Sequence, residues 1–252
     1  MFVHRITRSG RGAAVLCALA LCVGVVQADL PDVVFEITAE AGPLSVTVPI
    51  LSEWFTYDQA TQSWSWELPE AMDFVSGGTL LGTLNEFGAT LMQDPSLNLN
   101  FAVQAGPNPI TFSIASALLS FPTIPEELAE GQASAAFSLT DNNLDGATLT
   151  GLGPGGGAYL AQYNGYVPGG TTFAEGIFSM YAPFGTVTAE FNQPPSGYLP
   201  IGVDVSDMSA LISFELTASD QASGTSTYTI IPEPGAIGLL VLGGLALLRR
   251  RS

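Results

Sequence analysis

The alternation of apolar and polar residues is the feature that most limits what this chain can fold into. Ser63-Trp-Ser-Trp-Glu-Leu68 is the clearest case, because Trp64, Trp66 and Leu68 fall on one face of an extended segment. Val33 to Ala39 repeats the pattern. Successive side chains of a β-strand point to opposite faces, so a period of two residues indicates strands that are buried on one side.

Such segments recur about every 8–12 residues, the spacing typical of all-β sandwiches and barrels. No segment between residues 29 and 231 keeps a period of 3.6. Leu80 to Leu91 fits either a strand pair or one bent strand. We expect short helical pieces only at Pro125 to Glu130 and at Asp204 to Ala210. The pattern predicts an all-β fold with two antiparallel sheets, either a β-sandwich or a jelly roll.

The first 28 residues have the three parts of a secretory signal peptide. A basic segment comes first, and an apolar segment follows from Ala13 to Val26. The basic residues are Arg5, Arg8 and Arg11. Small residues then precede a predicted cleavage point between Ala28 and Asp29. This order predicts an N-terminal signal helix that is removed on export.

The last residues form a second segment that combines an apolar run with a cluster of basic residues. Pro232, Glu233 and Pro234 precede an apolar run from Ala236 to Leu248. Three arginines follow the run: Arg249, Arg250 and Arg251. As a helix the run would be about 20 Å long, which is shorter than a bilayer core of about 30 Å. The arginines belong on the cytoplasmic side, which places the preceding chain outside.

Residues 231–252 resemble the PEP-CTERM sorting signal of exported bacterial proteins, with the proline-glutamate-proline triplet, apolar helix and basic end in the same order. The resemblance implies a Gram-negative cell that makes exopolysaccharide. It also implies an exosortase that recognises the triplet and removes the tail. The processing partners would then be signal peptidase and exosortase. We expect a protein anchored transiently in the inner membrane through the uncleaved tail, and then located at the cell surface or outside the cell.

These boundaries divide the chain into a signal peptide (1–28), one acidic β-domain (29–230) and a sorting tail (231–252) with a hydrophobic helix at 236–248. Of the 23 acidic side chains only Glu233 lies outside residues 29–231, and this span contains no Lys, Arg, His or Cys. Its formal charge is therefore −22. Such a span repels nucleic acid, and it lacks the groups for a serine–histidine triad, a thiol nucleophile or a Schiff base.

Paired carboxylates are the catalytic chemistry that this composition leaves open, as in glycoside hydrolysis. Most of the candidates occupy the outward position of an alternating strand, where a solvated surface role is the better interpretation. The candidates are Glu36, Glu53, Glu67, Asp73, Glu175, Glu190 and Glu215.

Aromatic residues give a candidate sugar-binding surface. Trp54, Trp64 and Trp66, with Tyr57, could form a flat stacking platform, and a second platform could use three tyrosines. Those tyrosines are Tyr159, Tyr163 and Tyr166. The alternative is that these rings belong to the core, because Trp64 and Trp66 share the inward phase of a strand and large aromatics dominate cores.

The segment Asp141-Asn-Asn-Leu-Asp-Gly146 is a candidate calcium loop. Asp141, Asn143 and Asp145 fall at alternate positions before a glycine, as oxygen ligands do in calcium-binding loops. Leu152 stands where an EF-hand needs a bidentate glutamate, so the helix-loop-helix site is excluded. The alternative is a polar turn between strands, for which Asn, Asp and Gly are the usual residues.

The function that we expect is that of an exported, non-catalytic surface or extracellular-matrix protein. The alternative is a carbohydrate-binding module or adhesin that associates with exopolysaccharide, and a carboxylate-only glycosidase is less favoured.

Overall fold

A computed structural model describes residues 30–92 and 95–232. Within these ranges the chain is strand, turn and loop, with one short 3₁₀ helix at Ser52–Trp54. The strands, in chain order, are β1 (Val33–Ala41), β2 (Leu44–Leu51), β3 (Thr56–Asp58), β4 (Ser63–Glu67), β5 (Met72–Ser76), β6 (Thr79–Met92), β7 (Ser96–Ala105), β8 (Ile110–Ser116), β9 (Leu119–Ile124), β10 (Ala129–Asp141), β11 (Ala147–Gly151), β12 (Tyr159–Tyr163), β13 (Thr171–Gly176), β14 (Ser179–Ala182), β15 (Gly185–Gln193), β16 (Leu199–Pro200), β17 (Val205–Leu216) and β18 (Gln221–Pro232).

The strands form two nine-stranded sheets. The first sheet has the order β13-β12-β17-β8-β1-β2, with β9 and β11 also paired to β17, and β14 paired to β11. The second has the order β15-β10-β18-β7-β6-β4-β3, with β16 beside β10 and β5 beside β6. Every ladder among the described residues is antiparallel. The predicted all-β, two-sheet antiparallel sandwich is confirmed.

The core lies between the two sheets and is rich in phenylalanine. Phe101 on β7 of the second sheet meets Phe112 and Phe214 of the first sheet, with ring centroids 6.3 Å and 5.9 Å away. All three rings are buried. Burying each such side chain favours folding by about 1.5–3 kcal/mol, so these contacts hold the sheets together.

Alternation along the long strands decides which side chains reach the core. In β10 every odd-numbered residue is buried, and the even-numbered residues face outward or lie half-exposed. Strand β18 pairs with β10 on one side and β7 on the other, which makes it a central strand of the second sheet. The outer face of this sheet is therefore built from the polar half of each alternating segment.

One expectation about local structure was wrong. Asp204 to Ala210 is not a helical link, because β17 begins at Val205 and pairs with β9 and β12. A register shift between Val205 and Asp207 interrupts the alternation there, which hides the strand in the sequence. The expected helical piece after Pro125 is a single turn that ends where β10 begins, and in it the Pro125 carbonyl accepts hydrogen bonds from the Leu128 and Ala129 amides.

The two other irregular segments depart less from the prediction. Residues 80–91 lie in the single strand β6, which has a register shift between Leu84 and Glu86, so the bent-strand alternative is confirmed. The apolar segment at residues 173–180 does not form one continuous strand, because it is divided between β13 and β14. Ile177 between them has a φ of 57°, a conformation that interrupts an extended strand.

The two export segments fall largely outside the described residues. The signal peptide with its cleavage point, and the tail from Glu233 through the predicted helix 236–248 to Ser252, lie outside them. Ile231 and Pro232 are described and form the end of β18, so this strand extends into the predicted sorting tail. In residues 30–92 and 95–232 no helix has the length and apolar character needed to cross a membrane.

Candidate functional site

The tryptophans proposed for sugar stacking occupy different depths. The 3₁₀ helix carries Trp54, whose ring lies 5.5 Å from that of Trp66 and remains 39% exposed. Trp64 is only 9% exposed and packs against Tyr57 at 4.8 Å. Trp64 therefore belongs to the core, as its strand phase indicates, and its assignment to a stacking platform was wrong. Of the three tryptophans, Trp54 is the one that presents a large exposed surface.

The prediction that Tyr159, Tyr163 and Tyr166 form a second aromatic platform was also wrong. Tyr159 is fully buried, and its hydroxyl donates a hydrogen bond to the Thr227 carbonyl at 3.3 Å. Burial raises the pKa of the Tyr159 phenol well above its usual value. Tyr163 is half-buried, and only Tyr166 is largely exposed. A sugar ring cannot reach the Tyr159 side chain.

Three exposed aromatic residues were missed in the sequence. Phe178, Tyr181 and Phe184 lie on β14 or immediately beside it, and each is more exposed than Trp54. The Tyr181 ring lies close to Gly146 of the acidic loop. Their sequence context, Ile-Phe-Ser-Met-Tyr-Ala-Pro-Phe, reads as a buried strand, so hydrophobicity alone could not have shown that they are exposed.

The acidic loop between β10 and β11 is held by its own carboxylate. Asp141 Oδ1 accepts hydrogen bonds from the Leu144 amide at 2.7 Å and the Asn143 amide at 3.2 Å. Its Oδ2 accepts the Gly146 amide at 3.2 Å, and Asn143 Oδ1 accepts the Asp145 amide at 3.2 Å. These bonds account for Asp141, Asn143 and Gly146 as turn residues.

A third carboxylate joins this loop from a distant part of the chain. Carboxylate oxygens of Asp141, Asp145 and Asp220 all lie within 4.8 Å of one another, and among the described residues this is the acidic group compact enough to hold a metal ion. Asp220 is fully buried, and it accepts hydrogen bonds from the Asn142 amide and the Thr217 hydroxyl. Asp220 adds a third carboxylate beside the predicted Asp141 and Asp145, while the Asn143 side chain bonds to backbone groups, accepting from the Asp145 amide and donating to the Ala218 carbonyl. Calcium binding here stays a prediction of the sequence.

No local pattern in the sequence points to Asp220. It comes 79 positions after Asp141, and only the pairing of Thr140 with Gln221 brings the two ends together. The loop motif could therefore be read from the sequence, whereas the carboxylate that completes the acidic group depends on strand order.

The candidate catalytic carboxylates are divided between the two faces of the sandwich. Glu67, Asp73 and Glu190 lie on strands of the second sheet, and Glu36, Glu175 and Glu215 lie on strands of the first. Glu53 lies on the 3₁₀ helix. Strand residues of both groups point away from the core, so the core separates one group from the other.

Two of these carboxylates have structural partners. Asp73 accepts a hydrogen bond from the Thr83 hydroxyl at 2.7 Å on the neighbouring strand. Glu175 accepts the Gly155 amide at 2.9 Å and the Gly157 amide at 2.8 Å, so it holds the glycine-rich loop that precedes β12. A third acidic residue, Asp58, accepts the Ala60 amide, and this hydrogen bond lowers the pKa of its carboxyl.

Comparison with known proteins adds one solved structure. No family model and no curated protein matches the chain. The chain is similar to a family 11 carbohydrate-binding module from Clostridium thermocellum, solved in complex with a β-1,3-1,4-mixed-linked tetrasaccharide. The identity is 9% and the TM-score 0.22, over 79% of this chain and 96% of that chain. Neither the fold described above nor the function proposed below rests on this likeness.

Proposed function

We propose that this chain is an exported, exosortase-sorted, non-catalytic protein of the cell surface or extracellular matrix. The observation that carries the proposal is the position of the triplet relative to the folded domain. The last described strand, β18, includes Pro232, the first residue of the proline-glutamate-proline triplet, and Pro232 pairs with Ala129 of β10. Removal of the residues after Pro232 would leave every described strand ladder intact.

The chemistry of the domain supports a non-catalytic role. The described residues contain 20 carboxylates and no Lys, Arg, His or Cys. The six candidate carboxylates on strands are divided between the two faces of the sandwich. Two of them, Asp73 and Glu175, accept hydrogen bonds from neighbouring residues. A highly acidic surface also remains soluble and repels nucleic acid, which suits a protein that works outside the cell.

The proposed route has two processing partners. Signal peptidase would cut between Ala28 and Asp29, and the tail would then hold the protein transiently in the inner membrane. Exosortase would recognise the proline-glutamate-proline triplet and remove the tail, and the domain would then pass to the cell surface or the medium. The membrane contact is proposed for the uncleaved tail alone.

The second candidate function, carbohydrate binding, is favoured by a specific observation. The Trp54 ring is 39% exposed and is supported from beneath by Trp66 at 5.5 Å. A fixed aromatic face offers an apolar surface to the C–H groups of a sugar ring. The polysaccharide that such a cell exports would be the natural partner, so matrix location and carbohydrate binding are compatible.

Cell fractionation tests the sorting proposal. We expect the wild-type protein in the surface or extracellular fraction. A variant with Arg249, Arg250 and Arg251 changed to glutamine should lose its cytoplasmic stop and accumulate with its tail uncut. The control changes three exposed domain carboxylates to glutamine: Glu36, Glu67 and Glu190. Equal distribution of the wild type and the arginine variant would contradict the proposal.

A further inference from the structure

The outer face of the second sheet carries a shallow depression, which we name the sheet trough. One row of outward side chains crosses its centre, because Ala136 pairs with Glu190 on one side and Thr225 on the other, and Thr225 pairs with Asn100. The trough thus crosses β15, β10, β18 and β7 and reaches Glu86 on β6. Its outward side chains are Glu86, Asn100, Ser134, Ala136, Ser138, Thr188, Glu190, Asn192, Ser223 and Thr225.

Small side chains give the trough its depth. One depression of about 370 Å³ and a second of about 130 Å³ share Ala136, Glu190 and Thr225, so they form one continuous feature. Ala136, Ser138 and Ser223 form the low floor, since none of them extends far above the sheet. An extended chain could therefore lie close to the strands.

Most of the polar groups in the trough are not used by the protein. Asn100, Thr225 and the serines of the floor make no side-chain hydrogen bond to another described residue. Thr227 borders the smaller depression and differs, because its hydroxyl donates to Asn98 Oδ1 at 2.8 Å. Beyond it, the Ser96 hydroxyl lies 3.1 Å from the Thr229 hydroxyl. Hydroxyl and amide groups with free donors and acceptors are available to a ligand.

The charge of the domain limits what that ligand can be. The described residues hold 20 carboxylates and no cationic side chain, so a polyanion is repelled at any approach. Within the trough the only charged groups are Glu86 and Glu190, four strands apart, or about 19 Å at 4.8 Å per strand. Between them the surface is uncharged, and it has no exposed aromatic or aliphatic anchor of the kind that protein partners use.

From these features we infer that the sheet trough binds an uncharged polysaccharide chain laid across the strands from β6 to β15. Sugar hydroxyls donate to and accept from the Asn, Ser and Thr groups of the floor, and they donate to the carboxylates of Glu86 and Glu190 in charge-assisted hydrogen bonds. The inference rests on the carbohydrate binding proposed above and adds to the exposed Trp54 ring a second surface of a different type, one without aromatic rings.

A binding assay on the full-length protein tests the inference. The probes are three uncharged polymers (hydroxyethyl cellulose, galactomannan and dextran) and carboxymethyl cellulose, which shares the cellulose backbone of hydroxyethyl cellulose but carries negatively charged substituents. Ala136→Leu fills the exposed centre of the trough. Its matched control is Ala115→Leu, the same change at an outward position of β8 on the first sheet. A third variant, Trp54→Ala, removes the exposed ring, and circular dichroism checks that each variant is folded.

We expect the wild type to bind at least one uncharged polymer and to bind carboxymethyl cellulose more weakly than hydroxyethyl cellulose. Ala136→Leu should weaken binding by at least about tenfold, with Ala115→Leu unchanged. Trp54→Ala, which leaves the trough intact, should still bind. Thr225→Val, which keeps the shape and removes one hydroxyl, should weaken binding by less. If Trp54→Ala alone abolishes binding, the proposal of a binding site in the sheet trough is wrong and the proposal of carbohydrate binding stands. If the wild type binds none of the uncharged polymers, both of these proposals are wrong, while the sorting proposal is unaffected.

Discussion

The rings of Phe101 and Phe137 meet edge to face, with centroids 5.2 Å apart, across the strand that lies between them. Phe101 is on β7 and Phe137 on β10, and both are aligned with Gly224 of the central strand β18. A Cβ on Gly224 would lie 2.5 Å from Phe137 Cδ1 and 2.9 Å from Phe101 Cε1. The glycine therefore lets two core rings come together over it.

Changing Gly224 to alanine should lower the free energy of unfolding by about 1–3 kcal/mol, because the methyl group must push two buried rings apart. Chemical denaturation of the two proteins measures the difference. Gly169→Ala is the control, since the Cβ added there meets only the Tyr166 carbonyl oxygen at 3.8 Å. Equal loss of stability in both variants would mean that the rings do not depend on Gly224.

A second prediction concerns Glu175, which was a candidate catalytic residue. Glu175→Ala should destabilise the protein by about 1–3 kcal/mol, because the Gly155 and Gly157 amides lose their acceptor. Glu215→Ala is the control, an exposed carboxylate on β17 of the same sheet. Thermal melts of both variants measure the effect. If Glu175→Ala has the same melting temperature as the wild type, the Glu175 carboxylate does not hold the glycine-rich loop.

A third prediction concerns alkaline pH. Burial raises the pKa of Tyr159 and of Tyr228 above the ordinary tyrosine value of about 10. Above that pH the unfolded chain loses these phenol protons and the folded protein keeps them, so the folded state binds more protons. The stability that these two buried, protonated phenols contribute is therefore fully present below about pH 10 and is lost as the pH rises further. Denaturation midpoints measured across this range should show the fall.

Loss of the hydroxyl at Tyr228 and loss of the hydroxyl at Tyr159 should change the stability of the protein in different ways. The Tyr228 hydroxyl is buried and has no hydrogen-bond partner among the described residues, whereas Tyr159 donates to Thr227. Tyr228→Phe should hold or raise stability and make the alkaline loss less steep, because a buried unpaired group and its titration both disappear. Tyr159→Phe should lower stability near neutral pH. A steeper alkaline loss in Tyr228→Phe would contradict the explanation.

Period-two alternation made the strands and the sandwich predictable, because Trp64 and the odd residues of β10 follow the face that they bury. Strand order could not be read in the same way. Two features depend on pairings between distant segments: the meeting of Asp141 with Asp220, and the row from Asn100 through Thr225 to Ala136. The paired residues lie from 81 positions apart (Thr140 with Gln221) to 125 positions apart (Asn100 with Thr225). No local pattern fixes which strands become neighbours.

The solvent exposure of individual side chains was the other property that could not be predicted from the sequence. Tyr159 and Tyr166 are the same residue type in one short segment, yet one is fully buried and the other largely exposed. The glycine-rich loop at residues 153–157 wraps around the Glu175 carboxylate, and no pattern in the sequence links the loop to that residue. Polar outward residues such as Ser134 and Ser138 gave no signal, because small polar side chains are common on sheet surfaces.

The central claim is that the chain is exported and cut at both ends, leaving the β-sandwich intact. Intact-mass spectrometry of protein recovered from outside the cell tests it most directly. We predict one species that begins at Asp29 and ends just after Pro232, the last residue of β18. An extracellular species that still carries the C-terminal arginines and ends at Ser252 would contradict the claim.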